Sequence, residues 1–133
     1  MKKKIVITGA LGYLGTELCK LYSGESRYHK IIAIDDRFVS EIVNQLRNWN
    51  IEFFQVEILN KSSLQVHLED ADVVYHLAGI TDVPHVKKES SQKLNDEIKK
   101  VAIEGTNNIL ESIPKNCKII FPSTHVIFEG LKQ

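Results

Sequence analysis

Short apolar runs and longer amphipathic stretches alternate along this chain. The β-branched run Lys4-Ile5-Val6-Ile7-Thr8 breaks off at Gly9, and from Gly12 to Tyr22 the residues Leu14, Leu18 and Leu21 recur at helical spacing. This pattern predicts a strand, a glycine turn and a helix. A second run, Ile31-Ile32-Ala33-Ile34, closes at Asp35-Asp36, and Ser40 then stands where it can cap a helix reaching Asn48, with Ile42, Val43 and Leu46 on its inner face. Ile51 to Val56 predicts a third strand, and Ser62 can cap a short helix ending at Leu68. Asp72 to Leu77 gives a fourth strand.

Beyond a loop holding Pro84, the polar stretch Glu89 to Ile113 carries Leu94, Ile98, Val101, Ala102, Ile109 and Leu110 at mostly helical spacing and stops at Pro114. It predicts one long helix, with Gly105 as the place for a bend. Lys118 to Phe121 is a fifth strand. Strands alternating with helices require crossover connections and a parallel sheet covered on both faces, which the near-continuous apolar strands fit. The fold class is therefore α/β, a Rossmann-type doubly wound parallel sheet with expected strand order 3-2-1-4-5. No repeat, low-complexity segment or linker divides residues 1–133, so one domain is expected.

Composition narrows the partners. Seventeen basic and seventeen acidic residues cancel, so no overall field draws in nucleic acid or an anionic membrane. Lys87-Lys88 and Lys99-Lys100 are interleaved with Glu89, Asp96 and Glu97, the pattern of a solvated face. The basic start Met1-Lys2-Lys3-Lys4 is followed only by Ile5-Val6-Ile7, short of the about 7–15 apolar residues of a secretory signal. No run approaches the roughly 20 apolar residues of a membrane span. Cys19 and Cys117 form no metal-spaced pair and are read as small apolar residues of a reduced, cytoplasmic protein. The histidines have no i, i+4 partner, so no metal site is expected, and Trp49 is read as a packing or rim residue.

Gly9, Gly12 and Gly15 sit between the first strand and helix, where each missing side chain has its own task. Gly9 permits a tight exit from the strand, Gly12 lets a pyrophosphate approach the backbone, and Gly15 lets the helix lie close to the sheet. The helix N-terminus offers unpaired N–H groups and partial positive charge to phosphates, so no basic side chain is required. Asp35, at the end of the second strand, stands where a carboxylate can accept hydrogen bonds from the adenosine ribose. A carboxylate there repels a 2′-phosphate, which favours NAD over NADP. Arg37 pulls the other way, although a solvated loop charge is its plainer reading.

Thr8-Gly9-Ala10-Leu11-Gly12-Tyr13-Leu14-Gly15 resembles the T-G-x-x-G-x-x-G signature of the extended short-chain dehydrogenase/reductase family, which includes UDP-galactose 4-epimerase and nucleotide-sugar dehydratases. Three more segments resemble that family in the same order. They are Asp70 to Gly79 with its H-x-A-G turn, Ile103 to Leu110 with V-x-G-T-x-N-x-L, and Phe121 to Phe128 with S-S-T-x-x-V-Y. The resemblance implies a cofactor site made from Gly9, Leu11, Gly12, Tyr13, Leu14 and Gly15 with Asp35 and Asp36. It further implies Leu77, Ala78, Gly79 and Ile80 on the nicotinamide-ribose side, and Glu57-Ile58 beside adenine, where the family usually has aspartate and an apolar residue.

By the same resemblance Thr124 aligns with the catalytic Ser/Thr, whose hydroxyl bonds the reacting substrate oxygen while hydride and proton move. Ala102 replaces a common asparagine, Pro122 replaces a serine or threonine, and the Tyr-x-x-x-Lys pair is expected beyond Gln133, together with the substrate-binding domain. The leading expectation is the NAD-binding part of a nucleotide-sugar epimerase or dehydratase, inactive by itself. The rivals are a non-catalytic dinucleotide-binding module or redox sensor, and a carbonyl reductase of the same family with a non-sugar substrate. A fifth strand with an open edge makes a homodimer one expected way to cover it.

Overall fold

The computed structural model describes residues 2–78 and 91–121. Its elements alternate as the apolar pattern requires: β1 (Lys3–Thr8), α1 (Tyr13–Tyr22), β2 (His29–Asp35), α2 (Ser40–Asn48), β3 (Glu52–Gln55), α3 (Lys61–Leu68), β4 (Val73–His76), α4 (Ser91–Ser112) and β5 (Lys118–Ile120). The strands form one parallel sheet in the order β3-β2-β1-β4-β5. This is the expected doubly wound α/β arrangement, with β1 at its centre.

Alternation along the central strands sorts the core into two layers, because successive side chains of a strand point to opposite faces. Ile5 and Ile7 of β1 join Ile31 and Ala33 of β2 against Cys19 of α1 and Val43 and Leu46 of α2. Val6, Ile32, Ile34 and Val74 face the other way, against Leu64 and Leu68 of α3 and Ile109 of α4. Both faces of β1 and β2 are thus dry, which is why these strands read as unbroken apolar runs rather than as alternation. Trp49 is partly buried against the first layer, a packing residue as expected.

Helix starts differ from the expected caps. α2 begins at Ser40 itself, with Val39 at the N-cap and no side-chain cap bond. In α3 the cap is Asn60, two residues before Ser62. Its side-chain oxygen accepts from the Ser63 N–H at 3.2 Å and from the Ser62 hydroxyl at 3.1 Å. Asparagine caps as well as serine, and Asn60, not the expected Ser62, is the residue whose side-chain oxygen reaches the first-turn N–H. β4 is shorter than the apolar run, but its ladder continues at both ends: Asp72 N–H donates to the Lys4 carbonyl at 2.9 Å and Leu77 N–H to that of Thr8 at 3.2 Å. α4 runs through Gly105 as one helix.

Candidate functional site

The chain lays down β1, β2 and β3 in one direction across the sheet, then returns to place β4 on the other side of β1. Connections leaving β1 and β4 therefore diverge, and the carboxyl ends of these strands frame the crevice where doubly wound folds receive ligands. The glycine turn, Asp35 and the Leu77-Ala78 turn all meet at this edge.

Gly9 leaves β1 with φ +67°, and a Cβ there would lie 2.7 Å from the Ala78 nitrogen. It serves both the expected tight exit and the close approach of the β4 turn. At Gly15 a Cβ would lie 2.3 Å from the Gly9 carbonyl oxygen, so α1 rests directly on the turn. Gly12 differs from both. Its backbone is ordinary (φ −74°, ψ 174°), and its nearest neighbour across an added Cβ would be the Gly9 oxygen at 3.4 Å, a normal contact. Nothing within the described chain demands glycine at position 12, as befits a backbone kept bare for something from outside.

Gly12 is also the N-cap of α1, with no side-chain cap and no acidic residue in the first turn. The first-turn N–H groups of Tyr13, Leu14 and Gly15 have no intrahelical partner, and the positive end of the helix dipole is not neutralised by its own side chains. Tyr13 is 88% exposed and Leu14 is also exposed, so both side chains stand outside the core.

Asp35 is 4% exposed, and its carboxylate ties the turn to β2. Oδ2 accepts the Leu11 N–H at 2.9 Å, and Oδ1 accepts the Arg37 N–H at 3.0 Å and its Nε–H at 3.2 Å. Burial pushes the Asp35 carboxyl up, but the Arg37 side chain and the backbone donors of Arg37 and Leu11 outweigh it and hold it below the usual carboxylate range. Asp36 is exposed, and partial desolvation together with its acidic neighbour Asp35 raises its carboxyl. Glu57 is exposed, whereas Ile58 is buried against α4.

Three residues outside the expected site set complete the edge. Thr8, fully buried, accepts the Leu77 and Ala78 N–H groups on Oγ1, each at 3.1 Å, and lies 2.8 Å from Nδ1 of His76. Nε2 of His76 lies 3.2 Å from Oγ1 of Thr106 on α4. Burial pulls the His76 imidazole down to about 4. A polar Thr8 closing an otherwise Ile/Val strand was the available signal. Gly79, Ile80 and Thr124 lie outside the described residues. Among the described residues no group of histidine, cysteine and acidic side chains could hold a metal ion, and no helix is long and apolar enough to cross a membrane.

Residues 6–133 match the 3-beta hydroxysteroid dehydrogenase/isomerase family. The chain belongs to this family. It is thereby a member of the extended short-chain dehydrogenase/reductases that its four segments resemble. A curated relative, UDP-N-acetyl-alpha-D-glucosaminuronate decarboxylase of Bacillus cytotoxicus, is 29% identical over 143 residues, covering 96% of this chain and 38% of the decarboxylase. The fold matches that of UDP-glucose-4-epimerase from Stenotrophomonas maltophila, solved with bound NAD and formylated UDP-arabinopyranose. That match has a TM-score of 0.71 at 20% identity, over 95% of this chain and 38% of the epimerase. L-threonine dehydrogenase from Clostridium difficile matches with a TM-score of 0.71 at 26% identity, over 92% of this chain and 37% of the dehydrogenase. The chain thus spans well under half the length of each of these proteins.

Proposed function

We propose that this chain is the NAD-binding part of a nucleotide-sugar epimerase or dehydratase. The observation that carries the reading is Gly12, a glycine that no contact within the described chain requires, at an uncapped helix N-terminus beside the Asp35 carboxylate. These residues fit a dinucleotide. The N–H groups of Tyr13, Leu14 and Gly15 suit a pyrophosphate, Leu11 lies within the same turn, and Asp35 with Asp36 suits the adenosine ribose. Glu57 and Ile58 are assigned to the adenine side, and Leu77, Ala78, Gly79 and Ile80 to the nicotinamide-ribose side. When bound, the nicotinamide supplies the hydride acceptor and donor for a sugar carbon.

The chain's own contribution to the chemistry is to bind and orient that group and, through Thr124, to hold the substrate oxygen. Family resemblance assigns Thr124 this role, and a substrate-binding part outside residues 1–133 completes it. The bound NAD of the epimerase structure and the nucleotide-sugar names of the relatives support the reading. The free cysteines Cys19 and Cys117 accord with a reduced cytoplasmic setting. A homodimer is proposed to cover an open sheet edge, which sedimentation equilibrium tests: a monomer at all concentrations removes that part of the reading.

Calorimetric titration with NAD and NADP tests the cofactor. NAD is expected to bind more tightly. Tighter binding of NADP overturns the cofactor preference, and binding of neither overturns the function. A second reading, a dehydrogenase with a non-sugar substrate, is favoured by the likeness to L-threonine dehydrogenase. Assay of the complete gene product separates the two: conversion of a UDP- or dTDP-sugar supports the first, and oxidation of an amino acid with no action on sugar nucleotides supports the second.

A further inference from the structure

One turn of α4, Gly105 to Asn108, reaches both walls of the crevice. On the β4 side the donors and acceptors can be counted. Thr8 Oγ1 has one proton and two lone pairs; the Ala78 N–H takes one lone pair, and the Leu77 N–H, shared with the Thr8 carbonyl, takes the other. Its proton is left for His76 Nδ1 at 2.8 Å. Nδ1 is then bare, the imidazole carries its proton on Nε2, and Nε2–H donates to Thr106 Oγ1 at 3.2 Å. A directed chain therefore runs from the backbone of Ala78 through Thr8 and His76 to α4.

On the β3 side the same turn holds the loop after the strand. Asn108 Nδ2 donates to the Ile58 carbonyl at 2.8 Å. Gly105, three residues earlier and so on the same side of the helix, leaves room for the Ile58 side chain. A Cβ there would stand 2.3 Å from Ile58 Cδ1. The two connections are built differently: the first runs through two hydroxyls and a buried ring, the second is a single amide and a missing side chain.

We infer that this turn of α4 positions both ends of the cofactor, Thr106 acting through His76 and Thr8 on the Leu77-Ala78 turn at the nicotinamide end, and Asn108 acting on Ile58 at the adenine end. The inference rests on the reading that the crevice takes a dinucleotide. Thr106, His76, Thr8 and Asn108 are positioning residues. Thr8 and Asn108 act through backbone that they hold, and His76 and Thr106 act through Thr8.

The two connections predict a split that general destabilisation does not produce. ADP occupies only the adenine end, whereas NAD occupies both. Thr106→Val, which keeps the shape and removes the hydroxyl, is expected to weaken NAD about five- to tenfold, the worth of one or two hydrogen bonds, and to leave ADP unchanged. Thr106→Ser is expected to restore NAD binding, and Asn108→Ala to weaken ADP and NAD in equal proportion. Titration of the 133-residue chain with NAD and with ADP reads all of these. If the unsubstituted chain binds neither ligand, the proposed function falls. If it binds both and Thr106→Val leaves NAD unchanged, or weakens ADP as much as NAD, the inference alone falls. A measurement needing no variant stands beside it: the ¹⁵N spectrum of His76 is expected to show the Nε2–H tautomer, and the Nδ1–H tautomer overturns the chain of donors.

Discussion

Arg37 Nε lies 3.2 Å from Oδ1 of Asp35, so the carboxylate closing β2 is paired with a guanidinium two residues further on. The same carboxylate accepts the Leu11 N–H of the glycine turn. The carboxylate proposed to select NAD and the guanidinium suited to a 2′-phosphate are thus in contact, and each restrains the other.

Removing the carboxylate releases Arg37 and ends its repulsion of a 2′-phosphate. Asp35→Ala is expected to lower the preference for NAD over NADP by at least about tenfold, the effect of one charged hydrogen-bond partner. It also strands the buried Leu11 N–H, at a stability cost of about 1–3 kcal/mol. Paired titrations and urea melts check both. An unchanged cofactor ratio removes Asp35 from the selection.

Gly12 and Gly15 should part company when each gains a methyl group. Gly15→Ala drives a Cβ to 2.3 Å from the Gly9 carbonyl oxygen. It should cost about 3 kcal/mol or more, because backbone, not a side-chain end, must yield. Gly12→Ala meets only a normal contact at 3.4 Å and should cost about 1 kcal/mol or less, the penalty of a poorer N-cap. NAD binding should nevertheless be lost in Gly12→Ala. Equal stability losses for the two variants, or unimpaired NAD binding by Gly12→Ala, would contradict this division.

Acid should act first through His76. Its folded value of about 4 lies below the ordinary histidine value of about 6.5, so between these the unfolded chain binds the extra proton. The stability His76 contributes is complete above about pH 6.5 and falls by roughly 3 kcal/mol as the pH drops through 4. Asp35 follows at lower pH. Its contribution is present above the unfolded carboxyl value of about 3.9 and is lost as the pH falls through its lower folded value. Denaturant melts from pH 8 to 4 are expected to lose stability steadily below 6.5, and His76→Gln to flatten that slope.

Cys19 is buried between α1 and the sheet, and burial pushes its thiol up to about 12. Cys117 is only partly buried. Iodoacetamide at pH 8 should therefore label Cys117 in the native protein and reach Cys19 only on unfolding, which mass spectrometry of timed samples shows directly. Prompt labelling of Cys19 would mean that α1 does not stay packed on the sheet.

The architecture was legible because periodicity and burial agree. Ile5, Val6 and Ile7 are continuous because β1 is covered on both faces, and strand order followed from the alternation of elements. The tasks of Gly9 and Gly15 were legible too, since their spacing encodes a turn. Caps were less so: Asn60 and Ser62 satisfy the same local rule, and only the path of the chain decides between them. The pairing of Asp35 with Arg37 needed a side-chain conformation, and the Thr8–His76–Thr106 connection joins positions 68 and 30 residues apart. No local spacing carries such contacts.

The position of β1 at the centre of the sheet has a consequence in time. Its Thr8 pairs with Ile34 on one side and with His76 on the other. At about 5–20 residues per second, a ribosome needs roughly 2–8 s to travel from the first partner to the second. Throughout that interval β1 has its β2 partner in the nascent chain but not its β4 partner. The crevice is therefore a late product of synthesis: dinucleotide can reward the completed sheet but cannot guide its first half.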